Sequence, residues 1–252
     1  MTGDGNWTWL LPGRVPTLID AGVGEPRHLD ALEEALGGVP LAQVLVTHAH
    51  PDHASGAAAI AKRIPAARFL KMPWPERDQR WDVPWVPVAD EETIEAGDTS
   101  MTAVHTPGHA PDHLCFWHGA TAAIFGGDLA ITGTTVWIPA TQHGDLAAYL
   151  ASLERVLALH PARIFPSHGP VIDDPASLLR GYIAHRLRRE SQVIDALRRG
   201  NTRTDAIVTS IYPSLDERFV TRAQETVRAH LLKLERDGRV RRRADAWHII
   251  GS

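Results

Sequence analysis

The chain has 252 residues, 44% of them hydrophobic and 22% charged, with a single cysteine, Cys115. That length forms one large domain or a domain with a smaller appendage. The lone cysteine excludes an internal disulfide and fits a reducing, cytoplasmic setting, and the lack of an 18-residue apolar run excludes a membrane-spanning helix.

The net charge of −4 is unevenly spread, with 11 Lys and Arg against 21 Asp and Glu in residues 1–181 and 15 against 9 in residues 182–252. A basic tail on an acidic body suits an anionic partner, or mutual attraction of the two parts. The opening MTGDGNWTWLLPG lacks the basic and apolar regions of a signal peptide.

In chain order, TLIDAG (17–22) reads as a strand ending in a turn. HLDALEEALGG (28–38) reads as a helix, with Leu29, Leu32 and Leu36 on one face and a stop at Gly37 and Gly38. QVLVT (43–47) is a buried strand and SGAAAIAKRI (55–64) a small-residue helix. Strands are expected over 67–71, 101–106, 113–118, 122–128 and 162–168, and an amphipathic helix over 144–159. Cys115 falls in the strand HLCFW and reads as a small buried hydrophobe. The segment 71–88 holds Trp74, Trp81 and Trp85 among prolines and reads as a rigid surface loop or as a cleft wall. This alternation predicts a layered α/β body. Helices over 178–200, 202–213 and 222–240, then two short strands, predict a winged-helix-like unit. The expected division is 1–181 and 182–252.

The histidines mark the site. THAHPDH places His48, His50, Asp52 and His53 after one strand. HTPGHAPDH, GGD and PSHGP place His109 and His113, Asp128, and His168 after three others. Ligand crevices of α/β sheets lie beyond strand ends. Imidazole and carboxylate are donors for zinc and similar divalent ions. His28, His118, His160, His185, His230 and His248 sit in no motif and are expected to be structural or exposed.

The HxHxDH motif followed by a later His, a later Asp and a last His resembles the metallo-β-lactamase superfamily. The resemblance implies an αββα four-layer sandwich here carrying a C-terminal winged-helix-like domain. It implies two divalent metal ions, with Zn2+ expected and Mn2+ or Fe2+ as alternatives. By the same resemblance His48, His50 and His109 hold the first metal. Asp52, His53 and His168 hold the second, and Asp128 bridges them opposite a bridging hydroxide. Asp52 is the candidate catalytic residue that orients the nucleophile. His113 joins it as a candidate for substrate contact or proton donation, with support of the ligands from behind as the other role. An Asp at position 128 argues against β-lactam hydrolysis, and His50 argues against the diiron redox branch.

HTPGHAPDHLCFW, IFGGDLAITGTTVW, GDLAAYLASLERVL and IFPSHGPVIDDP together resemble the β-lactamase-like protein 2 (endoribonuclease) family. That implies cleavage of single-stranded RNA. Related sequences act as thioesterases on carrier-bound acyl chains, so a small acyl substrate (thioester, lactone or ester) is the alternative. A non-enzymatic winged-helix binding module is the third reading. Ser167 replaces the usual Gly before the last His, a change expected to perturb the second-metal loop. Residues 137–145 form a longer segment that adds His143, and the N-terminal edge of the sandwich looks short by one strand. A homodimer through that edge or the tail is compatible with the sequence.

Overall fold

The computed structural model describes residues 5–251. Residues 1–4, part of the stretch read as lacking a leader, lie outside them. The chain begins with β1 (Trp9–Leu11), β2 (Thr17–Ile19), α1 (Pro26–Leu36), β3 (Gln43–Leu45), α2 (Pro51–Ala54), α3 (Ala57–Arg63), β4 (Arg68–Lys71), α4 (Pro75–Asp78) and β5 (Trp85–Pro87). Its five strands form one sheet in sequential order, parallel except for β1. Next come β6 (Thr93–Ala96), β7 (Thr99–His105), β8 (Leu114–His118), β9 (Ala123–Gly127), α5 (Leu146–Ala158) and β10 (Arg163–Pro166). These strands form a second sheet in the order β10-β9-β8-β7-β6, with only β9 and β10 parallel. The tail holds α6 (Pro175–Arg198), α7 (Thr204–Ile211), α8 (Val220–Arg236) and the hairpin β11 (Val240–Arg243) and β12 (Ala246–Ile249).

The strands of the first sheet are apolar on both faces because both are covered. Ile19, Leu45 and Leu70 meet Met101, Ala103, Leu114, Phe116 and Phe125 of the second sheet. Their neighbours Leu18, Val44 and Phe69 point the other way, onto Leu29, Leu32 and Leu36 of α1 and Ile60 of α3. On the far side, Val104, Cys115 and Ile124 pack against Leu153 and Val156 of α5 and Leu179 and Tyr182 of α6. The layers are therefore αββα, as expected. Val193 and Leu197, further along α6, join Ile207, Val227, Leu231 and Trp247 in a separate core. One helix thus serves both parts, and position 181/182 falls inside it.

Short elements escaped the sequence reading. The Trp-rich segment contains α4 and β5, and Trp74 is buried against Ala49 and Ala110, between the first two histidine loops. β1 forms the N-terminal edge of the first sheet, and the Trp9 ring packs edge-on to Phe165 at 5.0 Å. Trp7 N–H donates to the Ser167 carbonyl, tying this edge to the last histidine loop.

Close approach fixes Gly108. Its φ is +134°, and a Cβ there would lie 2.4 Å from Tyr149 Cα in α5. Gly108→Ala is expected to lower stability by about 3 kcal/mol through strain and overpacking, read as a lower midpoint in urea unfolding. An unchanged midpoint would show that α5 can retreat from the loop.

Candidate metal centre

The strand ends deliver four loops to one edge of the sandwich. The loop after β3 carries His48 and His50, and Pro51 then opens α2, whose first turn presents Asp52 and His53. The loop after β7 carries His109, Asp128 follows β9, and His168 follows β10. All seven expected ligands come together. The donor atoms fall into three overlapping groups: His48, His50 and His109; His48, His53 and Asp128; and Asp52, His53 and His168.

His50 Nδ1 lies 2.9 Å from His48 Nε2 and 3.0 Å from His109 Nε2. Asp128 spans both sides. Its Oδ2 is 3.3 Å from His109 Nε2, while Oδ1 is 3.3 Å from His168 Nε2 and 3.5 Å from His53 Nε2. Asp52 Oδ2 faces His168 Nε2 at 3.3 Å and His53 Nε2 at 3.6 Å.

The outward nitrogens explain why the inward ones suit a cation. His109 Nδ1 donates to the Trp137 carbonyl at 2.8 Å and His168 Nδ1 to the Gly5 carbonyl at 3.0 Å. His53 Nδ1 donates to Asp20 Oδ2 at 2.7 Å. Thr47 Oγ1 donates to Asp20 and so accepts from His48 Nδ1 at 3.1 Å. Each ring thereby holds a proton on the outer nitrogen and, when neutral, turns a lone pair inward. His50 Nδ1 sits between the inward nitrogens of His48 and His109, an arrangement met by a proton on His50 Nδ1 or by a cation. His53 Nε2 and Asp128 Oδ1 are buried with no hydrogen-bond partner. The donor set therefore fits one or two divalent ions.

The electrostatics agree. Burial, and then the neighbouring histidines, hold His48 well below the usual imidazole range and bring His50 down to about 3, so both stay neutral and able to ligate. Burial also opposes the charge on Asp128, but His53, His109 and His168 more than offset it and keep the carboxyl ionised. His53 is likewise pushed down by burial, yet Asp20 and Asp128 raise it well above its ordinary value. A proton held between carboxylates in this way marks a place where a metal cation would sit.

His113 is fully buried. Its Nε2 accepts from the Asp128 N–H at 3.0 Å and its Nδ1 bonds Thr106 Oγ1 at 2.8 Å. Of the two roles open in the sequence, this placement fits support of Asp128 from behind rather than substrate contact. Three supports went unnoticed in the sequence. Asp20 accepts from Thr47 N, Thr47 Oγ1, His53 Nδ1 and Ser167 Oγ. Asp112 holds Ala49 N at 2.8 Å, and the buried Lys71 reaches the buried Asp112 at 3.1 Å and the half-buried Asp78 at 2.5 Å. The motif PGHxxDH contains Asp112, so its position was a signal. The Ser167 hydroxyl, in place of the usual Gly, donates to Asp20 at 2.9 Å. His143 stacks edge-on to Trp74 at 5.3 Å instead of joining the cluster.

Beside His168 a cleft of about 830 Å3 opens between the sandwich and the tail. Its walls include Trp7, Ile131 and Trp137 on one side and Tyr212, Leu215 and Phe219 on the other. Among the described residues its cations are Arg186 and Arg222, and none of its lining side chains is a carboxylate.

Comparison with known proteins matches residues 1–168 to the metallo-beta-lactamase superfamily and residues 204–247 to the beta-lactamase associated winged helix domain. The beta-lactamase-like protein 2 homolog of Drosophila melanogaster is 32% identical, over 96% of this chain and 86% of its own. The atrochrysone carboxyl ACP thioesterase of Aspergillus chevalieri is 32% identical, over 98% of this chain and 82% of its own. The solved structure of TTHA1623 in a di-iron-bound form is 29% identical, with a TM-score of 0.58 over 68% of this chain and 91% of that one.

Proposed function

The chain belongs to the metallo-β-lactamase superfamily, and from that membership we propose a dinuclear metal-dependent hydrolase acting on an acyl ester or thioester with an apolar body and one anionic group. The observation that carries the dinuclear reading is Asp128, whose two oxygens face different histidine groups. His48, His50 and His109 would hold one ion and Asp52, His53 and His168 the other, with Asp128 between them. Such ions, of which Zn2+ is the expected kind, supply an activated water and a Lewis acid for the substrate's carbonyl. Asp52 Oδ2, on the same side as His168 and His53, would orient the attacking water and accept its proton. His113 fixes the Asp128 backbone.

The cleft favours an acyl substrate. Its apolar and aromatic walls suit a hydrocarbon or aromatic body. Arg186 is buried and donates to the Val136 carbonyl, which leaves Arg222, over the Trp137 ring at 5.7 Å, as the cation available to a ligand. A single cation matches a single anionic group, whereas an RNA strand needs a series of phosphate contacts. Arg241, Arg242 and Arg243 are exposed on β11, away from the cleft walls. The net positive charge of the tail favours single-stranded RNA as the second reading.

The test compares acyl N-acetylcysteamine thioesters, with and without a terminal carboxylate, against end-labelled single-stranded RNA, using protein loaded with Zn2+ or Mn2+. Turnover is expected on the carboxylated aromatic or long-chain thioesters. Arg222→Ala is expected to raise their KM about tenfold, the loss of one charge-assisted bond, with little change in kcat. Metal-dependent RNA cleavage without thioester turnover, weakened by substituting Arg241 to Arg243, would replace the acyl reading with the nuclease one.

A further inference from the structure

We propose that the C-terminal helices α6 and α8, the second of them in the winged-helix domain, set the orientation of His109, and through it the affinity of the first metal position, by clamping the segment 131–145. The proposal rests on the dinuclear reading above. That segment is irregular, running from the end of β9 to the start of α5 with only a single 3-10 turn, Ala140–Gln142. It carries the Trp137 carbonyl that accepts from His109 Nδ1. Strand pairing therefore does not fix that acceptor; its place comes from what holds the segment.

The hold comes from α6 and α8. Tyr182 Oη accepts from Ile131 N–H at 3.1 Å and reaches the Thr134 carbonyl at 2.6 Å. Arg186, nearly fully buried, donates to the Val136 carbonyl, one residue from Trp137. Glu225, also buried, accepts from both Thr141 N–H at 2.8 Å and Thr141 Oγ1 at 2.9 Å. Arg236 pairs with Asp145 at 2.8 Å, and Asp145 N–H in turn donates to the carbonyl of Gly108, the residue before His109. His109 is thus gripped through its ring and through its backbone by groups whose anchors lie some 70 to 130 residues downstream. Carboxylates and carbonyls that orient a ligating imidazole typically change metal affinity about 10–100-fold when removed. Here the segment that carries the orienting carbonyl is itself held by α6 and α8.

Glu225 is the cleanest handle, because it touches neither the metal cluster nor the cleft walls. Glu225→Ala removes the acceptor for Thr141. Glu225→Gln keeps a carbonyl oxygen in the same place and serves as the conservative rescue. Ile207→Val loosens the winged-helix core without touching the segment, and controls for general destabilisation. Metal-free proteins would be titrated with Co2+ against a competing chelator, with the visible spectrum and Tm recorded. Wild-type protein is expected to bind two ions. Glu225→Ala is expected to weaken one of them about 10–100-fold and leave the other within about twofold, with an altered spectrum. Glu225→Gln should restore most of that affinity, and Ile207→Val should lower Tm with both affinities unchanged. Equal affinities in wild type and Glu225→Ala would overturn the clamp while leaving the dinuclear reading intact. A loss shared by Ile207→Val would also overturn it. If wild type binds fewer than two ions, the dinuclear reading fails. The clamp is then read from 15N spectra of His109 in metal-free protein: loss of the Nδ1–H tautomer in Glu225→Ala supports it, and retention overturns it.

Discussion

Asp128→Asn is expected to lose at least about 1000-fold in turnover while staying folded, equivalent to roughly 4 kcal/mol of transition-state stabilisation. The substitution keeps the shape of the side chain and leaves the backbone N–H that His113 Nε2 accepts. What it removes is the negative charge between His109 on one side and His53 and His168 on the other. One amide oxygen can face one side only, so the link between the two groups is broken. The amide nitrogen turns donor hydrogens toward the other side, where a cation is expected. Turnover, metal content and Tm measured on the same sample separate the outcomes. Loss of rate with one ion retained is the expected result. Turnover within tenfold of wild type with two ions bound would show that the carboxylate is not required as a bridge.

The candidate ligands were legible because each sits in a short motif at the end of an apolar run, and strand ends in a layered α/β body converge. Their partners were not. Asp20 belongs to TLIDAG, where nothing distinguishes it from an ordinary turn aspartate. It reaches Thr47 only because β2 pairs in parallel with β3, with Ile19 opposite Leu45, and it meets Ser167 across a separation of 147 residues. Lys71 is another case. In sequence it ends an ordinary amphipathic strand, and only the fold encloses it with Asp78 and Asp112. β1 and β5 are three residues long and β6 is four, too short for alternation to separate strand from loop. The aromatic cleft was illegible for a different reason. Its walls come from the N-terminal segment, the 131–137 segment and the tail, and only the packing of α6 and α8 brings these together.

Asp20→Asn is expected to cost one of the two metals proposed above without unfolding the protein. Asp20 lies buried with φ +62°, and its Oδ2 accepts from both His53 Nδ1 at 2.7 Å and Ser167 Oγ at 2.9 Å, while its Oδ1 accepts from Thr47 N–H at 2.8 Å. Asparagine supplies one accepting oxygen. If that oxygen keeps the Thr47 N–H, the amide nitrogen faces His53 Nδ1 donor to donor. His53 can relieve this only by moving its proton to Nε2, the atom that faces Asp52 and Asp128, and a protonated Nε2 cannot ligate. A single N-for-O exchange would thus act on the metal through a tautomer. The expected loss at the second position is about 10–100-fold in affinity, read by chelator competition. Asp20→Ala is expected to cost stability as well, about 1–3 kcal/mol for each buried donor left without an acceptor, read as a lower urea midpoint. Wild-type affinity at both positions in Asp20→Asn would show that His53 takes its tautomer from elsewhere, and Thr47 Oγ1, 3.4 Å from His53 Nδ1, would be the acceptor to substitute next.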